Sequence, residues 1–376
     1  MKILVSLTLE GRNAGIWYAL ETTRRLQARG HEVLCLPRPG GTTIGLLRDA
    51  NLNVIDDCDL AVTSPKSVYR NIKRLIRLAR DFQPDVILAH WGTDHIYWAL
   101  AKTVGRLKTP LIRVRALDPR PPKKHVLSKW LHRKPTDHIV TVNTRLSDAY
   151  RTRLRLPRDR VSIIGPGVDP TNRDVGETAD LTALGIPEGK NVVILLARFS
   201  PVKGHRVLLK TIRPVVERFP DIHFLWLGFP AEYDRRLFDR WFVEANLMEC
   251  ITVVDSFQPN VNAILQACTL ALVTSVGSES ISRSLLEYFS CGLPVVASDV
   301  GGVTDLMQRG EFGILVPPDD AAALAEGIIR ILELPDRGQS LGARAHTFLS
   351  SHVTWDQRID DWENLLAATR NRSQSP

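Results

Sequence analysis

The amino-acid sequence predicts an α/β protein made of two doubly wound, parallel-sheet domains. Three observations carry this expectation. A length of 376 residues suits two domains. Short β-rich runs alternate with helical patterns through both halves, as in parallel sheets covered by helices. A turn-rich break, Gly165-Pro166-Gly167-Val168-Asp169-Pro170, runs into a polar stretch ending at Asp180 and reads as the boundary. The N-terminal domain is therefore placed at 1–165 and the C-terminal domain at 166–354.

In the first half, Lys2–Leu7 reads as a strand, followed by a turn containing Gly11 and Gly15. A helix then runs to about Arg29, where Gly30 supplies the stop. Glu32–Leu36 is the next strand, Ser67–Phe82 a basic helix and Asp85–Ala89 a buried strand. Further strands fall at Pro110–Val114, His138–Val142 and Val161–Ile164.

In the second half, strands are expected near Val192–Ala197, His223–Leu227, Ile251–Val254, Leu270–Thr274, Pro294–Ala297 and Gly313–Val316. Helices are expected near Gly204–Arg218, Arg235–Ala245, Ser282–Phe289 and Ala321–Leu332. A last helix, about 355–370, carries Trp355, Ile359, Trp362, Leu365 and Leu366 at helical spacing. Its apolar face is expected to pack back on the N-terminal domain, and the final RNRSQSP reads as frayed.

Hydrophobic content of 44% and charged content of 24% are ordinary for a globular chain with real cores. The apolar run Ile3–Leu9 is too short for a signal peptide and reads as a first strand. No stretch approaches the ~20 apolar residues of a membrane span. The five cysteines, Cys35, Cys58, Cys250, Cys268 and Cys291, form no C-x-x-C pair, so neither a zinc site nor a disulfide framework is expected. A cytoplasmic compartment fits that usage. The net charge of +8 is unevenly placed: residues 1–165 hold 30 Lys and Arg against 14 Asp and Glu, and residues 166–376 hold 19 against 27. Only the first half is therefore expected to face an anionic partner, a membrane surface or a phosphorylated glycolipid. Nucleic acid is not expected, because no binding fingerprint accompanies the charge.

The chemistry concentrates in SESISRSLLEYFSCGLPVV, residues 278–296. Glu287 sits among Leu285, Leu286, Tyr288 and Phe289, where a carboxylate is costly without a partner. A ribose diol fits, since a carboxylate accepts two hydroxyl hydrogen bonds. Glu279 precedes the helix, near the positive end of its dipole. The plainer alternative makes Glu279 a helix-start charge and Glu287 a solvated side chain. Earlier, the strand Val192–Ala197 ends in Arg198-Phe199-Ser200-Pro201-Val202-Lys203-Gly204. That puts two cations at a strand's carboxyl end beside a helix start, a place suited to a diphosphate.

Together these residues resemble the retaining glycosyltransferases of family 4, which have the two-Rossmann GT-B architecture with domains facing each other across a cleft. ARFSPVKGHRVLLK is similar to the family's Arg and Lys segment. SESISRSLLEYFSCGLPVVASDVGGVTDLM is similar to its Glu-x7-Glu segment, EFGILVPPDDAAALAEGI to the usual continuation, and VSIIGPGVDP to the linker. The resemblance implies that Glu287 binds the ribose of a nucleotide sugar and Glu279 holds donor-sugar hydroxyls. Arg198 and Lys203 would neutralise the leaving diphosphate. Backbone N–H groups of Ile281, Ser282 and Arg283 would cradle phosphate. Gly228 and Asp255–Phe257 would border the base, and Gly11 and Gly15 would form a loop facing the donor phosphates or the acceptor. No cofactor and no divalent metal is implied.

The chain departs from the family pattern in three places. Many members have a His at the end of the strand that here reads Leu111-Ile112-Arg113-Val114-Arg115-Ala116; none occurs here. Pro166 stands where Asn is usual, and Ser282 replaces a commoner Gly. His90 and Asp94 remain as the nearest polar candidates in that domain, His90 for a catalytic or acceptor role or as a structural residue. The D-x-D string Asp57-Cys58-Asp59 lies in the other domain from the donor motifs and reads as surface.

One further segment, KKHVLSKWLHRK (123–134), places Val126, Leu127, Trp130 and Leu131 on one helical face. Such a helix either lies on an anionic membrane or packs that face on its own sheet. The function the resemblance implies is metal-independent, retaining transfer of a sugar to a cell-envelope glycan or glycolipid, in the cytoplasm or peripherally on the inner membrane face. The alternatives are a nucleotide-sugar epimerase or phosphorylase of the same architecture, or a non-catalytic nucleotide-sugar-binding module.

Overall fold

A computed structural model of the chain describes residues 1–11, 13–117, 121–169, 178–277 and 279–374. Ser278 of the paired-glutamate segment, and Pro170 with most of the polar stretch after it, lie outside the described residues. The chain divides into two compact units, Met1–Pro166 with the helix Trp355–Gln374, and Gly167–Thr354.

The first unit contains strands β1 (Lys2–Leu7), β2 (Glu32–Pro37), β3 (Asn53–Val54), β4 (Val86–Ala89), β5 (Leu111–Arg115), β6 (His138–Thr141) and β7 (Val161–Ile163). They form one parallel sheet in the order β3-β2-β1-β4-β5-β6-β7. Between them run α1 (Ala14–Ala28), α2 (Thr43–Asp49), α3 (Pro65–Phe82), α4 (Gly92–Gly105), α5 (Val126–Arg133) and α6 (Thr144–Leu154). The central strands are near-continuous apolar runs because helices cover both sheet faces; Ile3, Leu4, Val5, Ile87 and Leu88 are all buried. The strand order reverses between β1 and β4, so their carboxyl ends, carrying Thr8–Gly11 and His90, border the switch point where such sheets bind ligands.

The second unit contains β8 (Asn191–Leu196), β9 (Ile222–Leu227), β10 (Ile251–Val254), β11 (Leu270–Val273), β12 (Val295–Ser298) and β13 (Ile314–Val316). They are parallel in the order β10-β9-β8-β11-β12-β13. Its helices are α7 (His205–Arg218), α8 (Arg235–Ala245), α9 (Val261–Gln266), α10 (Arg283–Ser290), α11 (Val303–Leu306), α12 (Ala321–Leu332) and α13 (Gln339–His352). An aromatic core anchors one sheet face: Phe199, Phe224, Trp226 and Phe238 are fully buried, each worth roughly 1.5–3 kcal/mol by transfer. Here the order reverses between β8 and β11. The Arg198–Gly204 loop follows the first of these strands and the Thr274–Ser282 segment the second.

The last helix, α14, runs Trp355–Gln374, past the expected end near 370. Residues expected to fray are helical as far as Gln374, and ion pairs of Arg370 to Asp85 (3.1 Å) and Arg372 to Asp159 (3.7 Å) accompany that extension. At the other end, the Trp355 ring meets Trp17 and Tyr18 at 5.7 and 6.4 Å. Arg29 pairs with Asp356, Asp360 and Glu363.

Helix α5 does not pack the whole of its apolar face on its own sheet, which was one of the two readings of this segment. Its buried residues are Ser128 and His132; Trp130 and Leu131 are half-buried, and Val126 and Leu127 stand 84% and 66% exposed. Among the described residues no helix is long and apolar enough to cross a membrane.

Candidate functional site

In the second unit, the loops leaving β8 and β11 are stitched together. The Thr274 hydroxyl donates to the Lys203 carbonyl (2.6 Å) and Val276 N–H to the Val202 carbonyl (2.9 Å). Between β8 and α7 the chain makes one tight turn, Pro201–Lys203, closed by Gly204 at φ +74°. A Cβ on Gly204 would lie 1.8 Å from the Thr274 carbonyl oxygen. Only glycine permits both that left-handed backbone and that approach, and the approach holds Lys203 over the neighbouring loop.

Lys203 points at Glu279. Its Nζ donates to both carboxylate oxygens, at 2.8 and 2.7 Å. The Glu279 side chain is 4% exposed and that of Lys203 18%. The backbone of Glu279 is fixed as well: its carbonyl accepts from Gly302 N–H at 2.8 Å, and Gly301 (φ +53°) approaches so closely that a Cβ would fall 2.2 Å from the same oxygen. The sequence reading gave these two side chains separate ligand-binding roles; the structure joins them in one ion pair.

Ile281 and Ser282 are buried at the start of α10. Ser282 is the N-cap residue, yet its side chain makes no cap bond, and its buried Oγ has no hydrogen-bond partner. Arg283 is exposed and reaches Glu287 Oε1 at 3.5 Å. One turn into α10, Glu287 is half-buried. Burial raises its carboxyl above the usual range, partly opposed by Arg283. Tyr288 beside it anchors the helix: its hydroxyl accepts from Leu196 N–H (2.7 Å) and donates to the Leu272 carbonyl (3.1 Å). Sequence reading treated Tyr288 only as an apolar neighbour; a buried tyrosine in such a run usually needs a partner for its hydroxyl.

Arg198, which follows β8 and precedes the Pro201–Lys203 turn, is exposed. Gly228 follows β9 and lets the chain pass β8, since a Cβ there would lie 1.9 Å from the Ala197 carbonyl oxygen. Phe257, one strand further out after β10, is 89% exposed. The Lys203–Glu279 pair, in the loops that lead toward the α10 start, sets a cation and a carboxylate where an anionic group and hydroxyls can bind.

The candidates in the first unit sit differently. Gly15 is buried against Leu117, whose Cγ would lie 2.3 Å from an added Cβ, and its N–H, with that of Ile16, is already capped by Asn13 Oδ1 at 3.0 Å. Gly11 is exposed at φ +85°, and its N–H donates to Thr42 Oγ1 at 3.2 Å. His90 ends β4 almost fully buried. Burial, then the Arg113 charge, lowers it to about 3, so it is neutral at neutral pH. Asp94 is fully buried and accepts from Thr8 N–H (3.3 Å), the Thr8 hydroxyl and Trp91 N–H (3.0 Å). That fixes it as the brace of the α4 start. Where the family pattern has a strand-end His, Ala116 is buried. The polar group sequence reading missed there is Arg113, fully buried and donating to the Ala89 carbonyl at 3.0 Å, with desolvation lowering it to about 10. An Arg alternating with Leu111 on a central strand was the available signal.

The D-x-D string is engaged in the surface ion pairs of the first unit. Asp57 accepts from Arg74 Nε and Nη2 at 2.9 and 2.6 Å, Asp59 pairs with Arg38 at 3.7 Å, and Cys58 between them is buried. Among the described residues no group of three or more His, Cys, Asp and Glu is placed to hold a metal ion.

The chain matches two family models, one described as Glycosyltransferase Family 4 over residues 17–172 and one as Glycosyl transferases group 1 over residues 190–334. A D-inositol 3-phosphate glycosyltransferase of Stackebrandtia nassauensis is 26% identical over 299 residues, 76% of this chain and 66% of that one. A phosphatidyl-myo-inositol mannosyltransferase of Mycobacterium tuberculosis is 33% identical over 170 residues, 44% of each chain. The chain thus spans less than two thirds of the length of these relatives. In three dimensions it is similar to Anabaena HepE, solved in complex with UDP, with TM-score 0.83 and 18% identity over 98% of this chain and 100% of that one.

Proposed function

Because the chain belongs to the family 4 glycosyltransferases and has the GT-B fold, we propose that it transfers a sugar from a nucleotide-diphospho-sugar to a glycan or glycolipid acceptor. Retention at the anomeric carbon and independence from divalent metal belong to the same proposal. The observation that carries it is the stitched pair of loops after β8 and β11, which holds Lys203 against Glu279. Relatives named as a D-inositol 3-phosphate glycosyltransferase and a phosphatidyl-myo-inositol mannosyltransferase, and a structural neighbour solved with UDP, support the substrate class.

In this reading the ribose diol hydrogen-bonds Glu287 and the diphosphate lies toward Lys203, Arg198 and the α10 start. As the glycosidic bond breaks, charge grows on the leaving diphosphate, and fixed cations stabilise that charge more than the ground state. Glu279, released from Lys203, accepts hydroxyls of the donor sugar. The basic first unit brings the acceptor side to an anionic surface, so the chain works peripherally at a membrane.

The test is incubation with labelled UDP- and GDP-sugars, with and without a chelator. Transfer or slow donor hydrolysis that survives chelation is expected. Isomerisation of the donor would identify an epimerase, binding without turnover a binding module, and loss of activity on chelation would refute metal independence.

A further inference from the structure

Strands β8 and β11 lie where the order of the second sheet reverses, and their pairing stops early. The β8–β9 pairs run on to Leu196 with Leu227 and the β11–β12 pairs to Val273 with Ala297, whereas β8 and β11 last pair at Leu195 with Leu272. The next bond of a parallel ladder would join the Leu196 N–H to the Leu272 carbonyl. Both groups bond the Tyr288 hydroxyl, which accepts from the first at 2.7 Å and donates to the second at 3.1 Å. A bridging hydroxyl holds such a pair wider apart than the roughly 2.9 Å of a direct bond. Tyr288 is thus a wedge at the switch point of the sheet.

The wedge joins the elements that carry the donor-site residues. Leu196 lies two residues before Arg198, Leu272 two before Thr274, and Tyr288 directly follows Glu287 on α10. Beyond the wedge the loops close again, through the Thr274 hydroxyl on the Lys203 carbonyl and the Val276 N–H on that of Val202. The opening is therefore fixed at both ends. Packing alone does not require the hydroxyl: Phe289, the next residue of α10, is as fully buried without one. Burial also raises the Tyr288 phenol above its usual range, so it keeps the proton it donates throughout the range in which a carboxylate titrates.

We propose that Tyr288 is a positioning residue of the donor site, whose hydroxyl sets the spacing between Glu287 on α10 and the Lys203 loop after β8. The inference rests on the donor reading, in which Glu287 takes the ribose and Lys203 the diphosphate. A nucleoside diphosphate has a fixed reach from ribose to phosphate, so it feels that spacing. A nucleoside or a pyrophosphate touches one side only and does not. In Tyr288→Phe the Leu196 N–H and the Leu272 carbonyl are free to bond directly, which draws the two strand ends together and unties α10 from Leu196.

Calorimetric titration with UDP and GDP, with uridine and guanosine, and with pyrophosphate tests this. Tyr288→Phe should weaken the better-bound nucleoside diphosphate about tenfold and change binding of its nucleoside and of pyrophosphate by less than about twofold. In a Glu287→Ala background, where no ribose anchor remains to be misplaced, the same change should cost the diphosphate less than about twofold. A measurement on the unmodified chain covers a variant that does not fold. By bracing both sides of the wedge, the nucleoside diphosphate should slow amide exchange at Leu196 about tenfold, and neither fragment should. Wild-type diphosphate affinity in folded Tyr288→Phe, equal losses for the diphosphate and its fragments, an undiminished loss without Glu287, or unslowed exchange at Leu196 would overturn the proposal. Should neither UDP nor GDP bind the unmodified chain, the donor reading itself fails; binding with uniform losses fails only the role of Tyr288.

Discussion

Lys203 and Glu279 hold each other bidentately, with Nζ at 2.8 and 2.7 Å from the two carboxylate oxygens. Both side chains are largely withdrawn from water, so the Coulombic gain must offset a desolvation cost. A diphosphate that needs Lys203 must compete with that carboxylate. Glu279→Gln removes the competitor and keeps the shape. The affinity for a nucleoside diphosphate should rise about fivefold, on the order of 1 kcal/mol, while sugar transfer falls because donor hydroxyls lose an anionic acceptor. Calorimetry and product assays read the two effects separately. Weaker diphosphate binding in the folded variant would mean that Glu279 shapes the site rather than competing for Lys203.

Glu287 gives a second prediction, with a pH signature. Loss of charge-assisted bonds in Glu287→Ala should weaken nucleoside diphosphate binding by about 1.5–3 kcal/mol. Burial raises its carboxyl, so over the window above the ordinary carboxylate range the folded protein holds a proton that the unfolded chain has lost. Stability therefore falls as pH rises through that window, while ribose affinity rises as the carboxylate forms. Glu287→Gln should flatten both slopes. A wild-type binding profile that stays flat across this range would contradict the ribose role.

Arg198, exposed just after β8, should act on the growing phosphate charge rather than on the ground state. Arg198→Ala is expected to lower kcat about 10²- to 10³-fold, the cost of losing one preorganised charge-stabilising group, with a much smaller change in donor affinity. Single-turnover rates measured against donor binding decide it. A loss confined to affinity, with an unchanged rate constant, would make Arg198 a docking residue.

Much of the fold was legible because it rests on local pattern. The apolar runs of β1, β4, β8 and β11 declare themselves in sequence, whereas Gly204, read as a helix start, closes the turn before α7. Lys203 and Glu279, though each was marked, are 76 residues apart, and nothing local announces that neighbouring strands bring their loops together. Helix α13 escaped notice because small residues carry its contacts: Gly342 approaches Gly292 so closely that a Cβ would lie 2.0 Å from its carbonyl oxygen, and Ala345 is buried beside Leu349. Such a face has no apolar periodicity to read. In α5 the period was visible, but tertiary packing chose the Ser128–His132 side and left Val126 and Leu127 outside.

The backbone of the donor loop gives the last prediction. Gly204 combines φ +74° with a hypothetical Cβ 1.8 Å from the Thr274 carbonyl oxygen, so Gly204→Ala is strained twice, and backbone cannot yield as a side-chain tip can. It should cost about 3–5 kcal/mol and, by pushing the loops apart, loosen Lys203 from Glu279. Gly45 is the control. It lies within α2 with nothing inside 4 Å of an added Cβ and no positive φ, so Gly45→Ala should stabilise by about 0.4–1 kcal/mol through the unfolded chain. Denaturant melts of the two variants should move in opposite directions. A neutral Gly204→Ala would show that the two loops are not packed as tightly as their hydrogen bonds indicate, and the geometry that brings Lys203 to Glu279 would lose its physical basis.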